Sequence, residues 1–379
     1  MTAAPSFRLV PLAFSDLPGW AGDDHAAALA AFRLGAAVAG EHPPKARALG
    51  TDAAALSRDL AAAAAMPPGA SASAARAFFE AAFRPFAVEP AEGAAFFTGY
   101  YEPVVAGSRH ASPAFPSPLL RPPADLVEID PDPTPPGIDP GTRFARRLPD
   151  GSLVPHPDRG AIMAGALDRC GLALVHLADP VDAFFVHIQG AARVRLAEGG
   201  EMRVTYAAKS GHPYTPIGRV LIEAGALPKG GATMATIRAW LAAHPDEAPA
   251  VMARNRSYIF FREAPVDDPA LGPVAAAKVP LVAGRSLAVD RLVHTFHTPV
   301  FVETTLPGGA PWSRLMVAHD TGSAIVGPAR GDPFFGPGDE AGSPAGALQG
   351  RGRLVGLLPG APPGGVTARS GARPRQRPS

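Results

Sequence analysis

Three aspartates stand in short apolar, glycine-flanked segments near the C-terminal end of the chain. Asp290 follows Leu287-Ala288-Val289, Asp320 follows Leu315-Met316-Val317-Ala318-His319, and Asp332 lies between Gly331 and Pro333-Phe334-Phe335-Gly336. A short apolar run reads as a buried strand. A carboxylate at the end of one is costly to bury unless it is paired or does chemistry. Carboxylates in partly dry clefts are a common means of protonating a leaving oxygen. The pattern predicts a carboxylate enzyme built on β-strands.

The rest of the chain suits that frame. With 41 glycines and 45 prolines among 379 residues, it is too rich in turn formers for a helical bundle. Its 47% hydrophobic and 18% charged content marks a folded chain, long enough for two domains. A net charge of +1 gives no global field to recruit nucleic acid. Cys170 is the lone cysteine, which excludes a disulfide framework and a cysteine-based zinc site. No run reaches the length of a membrane-spanning helix. No signal peptide is visible, and Cys170 lies too far along to be a lipid-anchored N-terminal cysteine.

Periodicity predicts helices over 23–39, from a Thr51 cap to about Met66, and from Ser71 through Phe78, Phe79 and Phe83. From Phe96 to Val105 the texture turns aromatic and β-branched. Residues 110–160, rich in proline and aspartate, read as loops between short strands. Ala183–Gln189 and Arg193–Tyr206 are expected as strands, 217–224 and 234–243 as helices. Further strands are expected at 257–261, 300–303, 315–319 and 354–358. The middle block reads as an insertion that splits one domain in sequence.

Five segments in order carry a resemblance. They are Phe97-Thr98-Gly99-Tyr100-Tyr101-Glu102-Pro103, Gln189-Gly190, Lys209-Ser210-Gly211-His212-Pro213-Tyr214-Thr215-Pro216, Asn255-Arg256-Ser257-Tyr258, and the three-aspartate region closing at Gly352-Arg353-Leu354. Together they resemble the membrane-bound lytic murein transglycosylase A family, over about residues 80–360. The resemblance implies a mainly β, α+β fold: a double-psi β-barrel, an inserted second β-domain and an N-terminal helical segment. The corresponding division is 1–105 for the helices and the first part of the barrel, 106–248 for the insert, 249–360 for the three-aspartate domain, and 361–379 for a disordered tail.

The same resemblance implies cleavage of the MurNAc-β-1,4-GlcNAc bond of peptidoglycan, with the substrate's own 6-hydroxyl as nucleophile and a 1,6-anhydro product. It implies no cofactor and no metal, a monomer acting on glycan strands, and a periplasmic or outer-membrane setting. Asp332 falls on the family's catalytic position, with Asp320 and Asp290 in support, and the rings of Phe334 and Phe335 are expected around the acid. Thr98, Tyr100, Tyr101, Gln189, Lys209, His212 and Tyr214 are expected along the glycan groove. Departures from the family pattern include Ala191-Ala192 after Gln189-Gly190, Ser210 where asparagine is common, and His297 where glycine commonly precedes Thr-Pro.

Two rival readings remain. Asp320-Thr321-Gly322-Ser323 copies the active-site turn of aspartic proteases, which needs a second aspartate to share a proton. A non-catalytic peptidoglycan-binding protein would keep the groove without the acid. Zinc at His294 and His297 has the wrong spacing for a helical pair and lacks a third ligand nearby.

Overall fold

The structure, a computed structural model, describes residues 6–130, 133–139, 142–306 and 308–360. The expected C-terminal tail lies outside them. Strand β1 (Phe7–Pro11) is followed by helices α1 (His25–Val38), α2 (Ala53–Ala65) and α3 (Ala72–Ala82), then β2 (Phe83–Pro90), β3 (Ala95–Thr98) and β4 (Tyr100–Glu102). The insert holds β5 (Val104–Ser108), β6 (Ser117–Leu120), β7 (Leu126–Glu128), β8 (Phe144–Arg147), β9 (Leu153–Val154) and α4 (Arg159–Met163). It continues through β10 (Ala173–Leu177), α5 (Pro180–Gln189), β11 (Ala191–Leu196) and β12 (Glu201–Lys209). Helices α6 (Ile217–Glu223), α7 (Met234–Ala243) and α8 (Ala248–Ala253) lead to β13 (Ile259–Ala264). The chain then runs through β14 (Ser286–Val289), β15 (Pro299–Thr305), β16 (Pro311–Asp320), β17 (Arg330–Pro337), α9 (Asp339–Ala347) and β18 (Gln349–Pro359).

Strands β18, β15, β16, β14, β17 and β3 follow one another in a sheet, and β3 pairs back onto β18. This closes a barrel, with β2 and then β1 attached to β18 beside it. Two of its pairings, β14 with β16 and β17 with β3, are parallel. The strand number and the mixed pairing match the double-psi expectation. Helices α1 to α3 cover one flank, where Phe32, Leu56, Leu60, Phe79 and Phe83 pack on Phe301, Leu315 and Val355. Asp52, not Thr51, caps α2: its Oδ1 accepts from Ala54 and Ala55. The shorter threonine side chain is buried one residue earlier.

The insert carries its own six-stranded sheet in the order β13-β12-β11-β5-β10-β6. Because β13 pairs with β12 from Lys209 to Arg203, this sheet extends to Ala264. The boundary placed at 248 therefore falls within the insert. A second correction concerns Ala183–Gln189, expected as a strand and observed within α5. Asp179 caps this helix, Pro180 opens it, and Gly190 ends it at φ +80°. Val181, Phe184, Phe185 and Ile188 fall at helical spacing and pack in one cluster. The β-branched and aromatic composition concealed that period.

Candidate functional site

Strand β17 carries Asp332 through the middle of the barrel sheet, opposite Ala288 on β14, with β3 on its other side. Pairing on both sides makes Asp332 a fixed strand position. Thr98, the last residue of β3, donates from Oγ1 to Asp332 Oδ1 at 2.5 Å and from its backbone amide at 3.3 Å. Arg330, two residues earlier on β17, pairs with the same oxygen and donates through Nη2 to Thr98 Oγ1 at 2.6 Å. Carbonyls of Phe96 and Gly331 hold its other bonds, and Phe96 lies 5.2 Å under the guanidinium. Oδ1 is thus fully engaged, while no hydrogen bond reaches Oδ2 among the described residues. The carboxyl presents one immobilised oxygen to the protein and one free oxygen outward.

The rings expected around the acid each have a ring partner of their own. Phe334 is taken up by the Tyr100 ring at 5.2 Å, and Phe335 stacks on Trp312. Thr98 and Arg330 hold the carboxyl instead. Arg330 escaped sequence reasoning because an arginine two residues from an aspartate is common at surfaces. The one signal is strand alternation, which puts positions 330 and 332 on the same face.

Asp320 ends β16. Its Oδ2 accepts from the Tyr100 hydroxyl at 3.2 Å and its Oδ1 from Ala276 N at 3.2 Å. Burial raises its pKa above the ordinary carboxylate range, against the lowering effect of these hydrogen bonds. Tyr100 is pushed well up, first by burial and then by the negative charges of Asp320 and Asp332. This tyrosine stands between the two aspartates. Among the described residues no carboxyl bonds Asp320, so the shared-proton pair of an aspartic protease is not assembled.

Asp290 is a loop clamp. Its Oδ1 accepts from Leu292 N at 2.9 Å and its Oδ2 from Gly327 N at 2.8 Å, which ties together the loops after β14 and β16. Gly99 permits the β3–β4 passage: a Cβ there would stand 2.7 Å from Phe335 and 2.9 Å from Ala345.

From the insert, Tyr214 comes within electrostatic reach of Asp332, whose charge adds to burial in raising its pKa. Lys209 spans to the loop after Asp320, with Nζ 3.4 Å from Ser323 Oγ. Three expected groove residues have other duties. Tyr101 is 5% exposed and lies against Gly342 of α9. Gln189 accepts from Tyr101 N at 3.2 Å, joining insert to barrel. His212 is buried, with Nε2 2.6 Å from the His156 carbonyl and Nδ1 2.9 Å from Arg256. No metal-binding group of three histidine, cysteine or acidic side chains occurs among the described residues.

Two family models match this chain: the MltA-specific insert domain over residues 96–262 and the 3D domain over 285–358. A membrane-bound lytic murein transglycosylase structure from Agrobacterium tumefaciens is 45% identical at a TM-score of 0.85, covering 93% of this chain and 97% of that one. The chain belongs to the membrane-bound lytic murein transglycosylase A family. An Escherichia coli K12 member is 31% identical over 268 residues, 68% of this chain and 64% of the relative's length. Another solved family structure, E. coli MltA with bound chitohexaose, is 26% identical at a TM-score of 0.64, covering 95% of this chain and 94% of that one. In this family member the insert model begins at β3, so the strand bearing Thr98 is matched together with the insert that faces it.

Proposed function

We propose that this chain is a peptidoglycan lytic transglycosylase, cleaving the MurNAc-β-1,4-GlcNAc bond and releasing a 1,6-anhydro-MurNAc end, with Asp332 as the single acid and base. The observation that carries the reading is the Asp332 carboxyl itself, held through one oxygen by Thr98 and Arg330 with the other free. In the first step Oδ2 protonates the departing glycosidic oxygen. The muramic acid 6-hydroxyl then attacks the anomeric carbon, and the same carboxylate takes its proton. A tethered hydroxyl has a high effective molarity, so a separate nucleophile is unnecessary.

Tyr100 and Asp320 brace the site from below, and Tyr214 and Lys209 form the wall contributed by the insert. The chitohexaose held by the E. coli relative supports a groove for a β-1,4-linked glycan. The names of the relatives support action at the cell envelope. No helix among the described residues is long and apolar enough to cross a membrane. One groove per chain suits a monomer, working in the periplasm or against the outer membrane.

The test is mass spectrometry of products from purified peptidoglycan, with the wild type beside Asp332→Asn. Anhydro-muropeptides from the wild type alone are expected. Hydrated reducing ends would refute the intramolecular step. Cleavage persisting in the variant would remove Asp332 from the role.

A further inference from the structure

A second charged feature lies beside the acid, where insert and barrel meet. Lys209 ends β12, half-buried, with a neutral hydroxyl, Ser323 Oγ, as its partner. Thr142 Oγ1 donates to the Gly211 carbonyl at 2.8 Å, which fastens the segment bearing Arg143 beside the residues that follow Lys209. Arg143 reaches Glu128 at 3.3 Å with both side chains about half exposed, so that pair is weakly held. On the barrel rim, Asp290 fastens its loop to Gly327, and this leaves the next residue, Arg291, exposed on the same side as the Ser323 loop. Among the described residues Arg291 forms no ion pair, and Tyr206, 41% exposed, lies within the field of Arg291, Arg143 and Glu128.

The cations crowd one another. Burial lowers the Lys209 pKa first, and the positive charges of Arg291 and Arg143 lower it further. Of the three cations, Arg143 alone forms an ion pair among the described residues, and Lys209 and Arg291 form none. An anion placed among them relieves repulsion and completes the desolvated Lys209. Arginine adds forked donors that match a carboxylate.

The sugar ring backbone of the glycan is uncharged. Where a stem peptide is attached, the muramic acid lactyl carboxyl is an amide and the free carboxylates are those of the peptide. We infer that Lys209, Arg291 and Arg143 form a subsite for the carboxylates of the stem peptide, making a peptide-substituted strand the preferred substrate. This inference rests on the reading of the groove as a peptidoglycan groove.

The experiment is calorimetric titration of the Asp332→Asn protein with three soluble probes. These are a disaccharide bearing a tetrapeptide, the same molecule with its peptide carboxylates amidated, and the peptide-free disaccharide with its lactyl carboxyl amidated. The carboxylate form is expected to bind about ten-fold more tightly than the other two, an advantage that shrinks as salt rises from low to about 0.5 M. Adding Lys209→Met and Arg291→Gln is expected to bring all three to one affinity, with an unchanged melting temperature reporting the fold. Arg291→Gln alone, at an exposed position, is expected to remove part of the preference. Equal affinity for the three probes, no detectable binding of the carboxylate form, or a preference that survives both substitutions would overturn the inference. Cleavage of whole peptidoglycan by the wild type is scored separately. A protein that cleaves but shows no preference loses only the subsite; one that prefers the carboxylate probe yet releases no anhydro product loses only the transglycosylase reading.

Discussion

Arg330 Nη2 donates to Thr98 Oγ1 at 2.6 Å, joining side chains 232 positions apart in sequence. The same guanidinium pairs with Asp332, so arginine, threonine and aspartate form a closed triangle of contacts. The triangle fixes the direction in which the free carboxyl oxygen points.

Loosening that triangle is expected to damage turnover more than binding. Arg330→Lys keeps a charge but loses the fork that spans both partners. We expect kcat to fall about 100-fold with KM changed little, and Thr98→Val to fall in the same direction. Steady-state kinetics on purified peptidoglycan read the split. A change in KM alone would assign Arg330 to substrate binding.

Glu102 is 1% exposed and accepts from two arginines of the insert, Arg193 at 2.9 Å and Arg203 at 2.6 Å. Removing one partner of a buried ion group leaves the others uncompensated. Glu102→Ala is therefore expected to cost roughly 3–5 kcal/mol in urea unfolding. A loss below about 1 kcal/mol would mean that the arginines find other partners.

His297 adopts φ +69° and is 2% exposed. Left-handed backbone favours glycine. The histidine ring fills the space above Gly35 of α1, where a Cβ would stand 2.7 Å from its Nδ1 and 2.9 Å from Leu60 Cδ2. Gly35→Ala is expected to cost about 1–3 kcal/mol by overpacking. Combining it with His297→Gly should recover part of that loss, a coupling of at least about 0.5 kcal/mol in a double-mutant cycle.

Asp59 in α2 has a buried oxygen without a hydrogen-bond partner, and burial raises its pKa from 3.8 to about 6. The native state thus keeps this proton to higher pH than the unfolded chain does. Its contribution to stability is greatest below pH 3.8 and falls as pH rises through about 6. Asp59→Asn should gain roughly 1 kcal/mol at pH 8, after allowance for solvent screening, and nothing at pH 3.5. Denaturant midpoints at the two pH values test the sign.

What was legible in the sequence follows from where the information was local. Ser71 caps its helix through a side chain beside the backbone it serves, so composition and spacing exposed it. The barrel strands β15, β16 and β18 were visible as apolar runs. Strand β17 was not, because Gly331 and Pro333 break its apolar pattern while its partners β14 and β3 come from distant segments. The burial of Tyr101 and His212 was hidden for a related reason. Each belongs to a motif near the groove, but the packing of α9 and the His156 carbonyl decides where its ring points, and neither is local in sequence.

The two arginines that meet Glu102 also donate to the Leu271 carbonyl, at 2.9 and 2.8 Å. Glu102 precedes the chain's passage into the insert, and Leu271 follows its return. Both crossings are therefore stapled at one point, so a single buried acid holds the seam between insert and barrel.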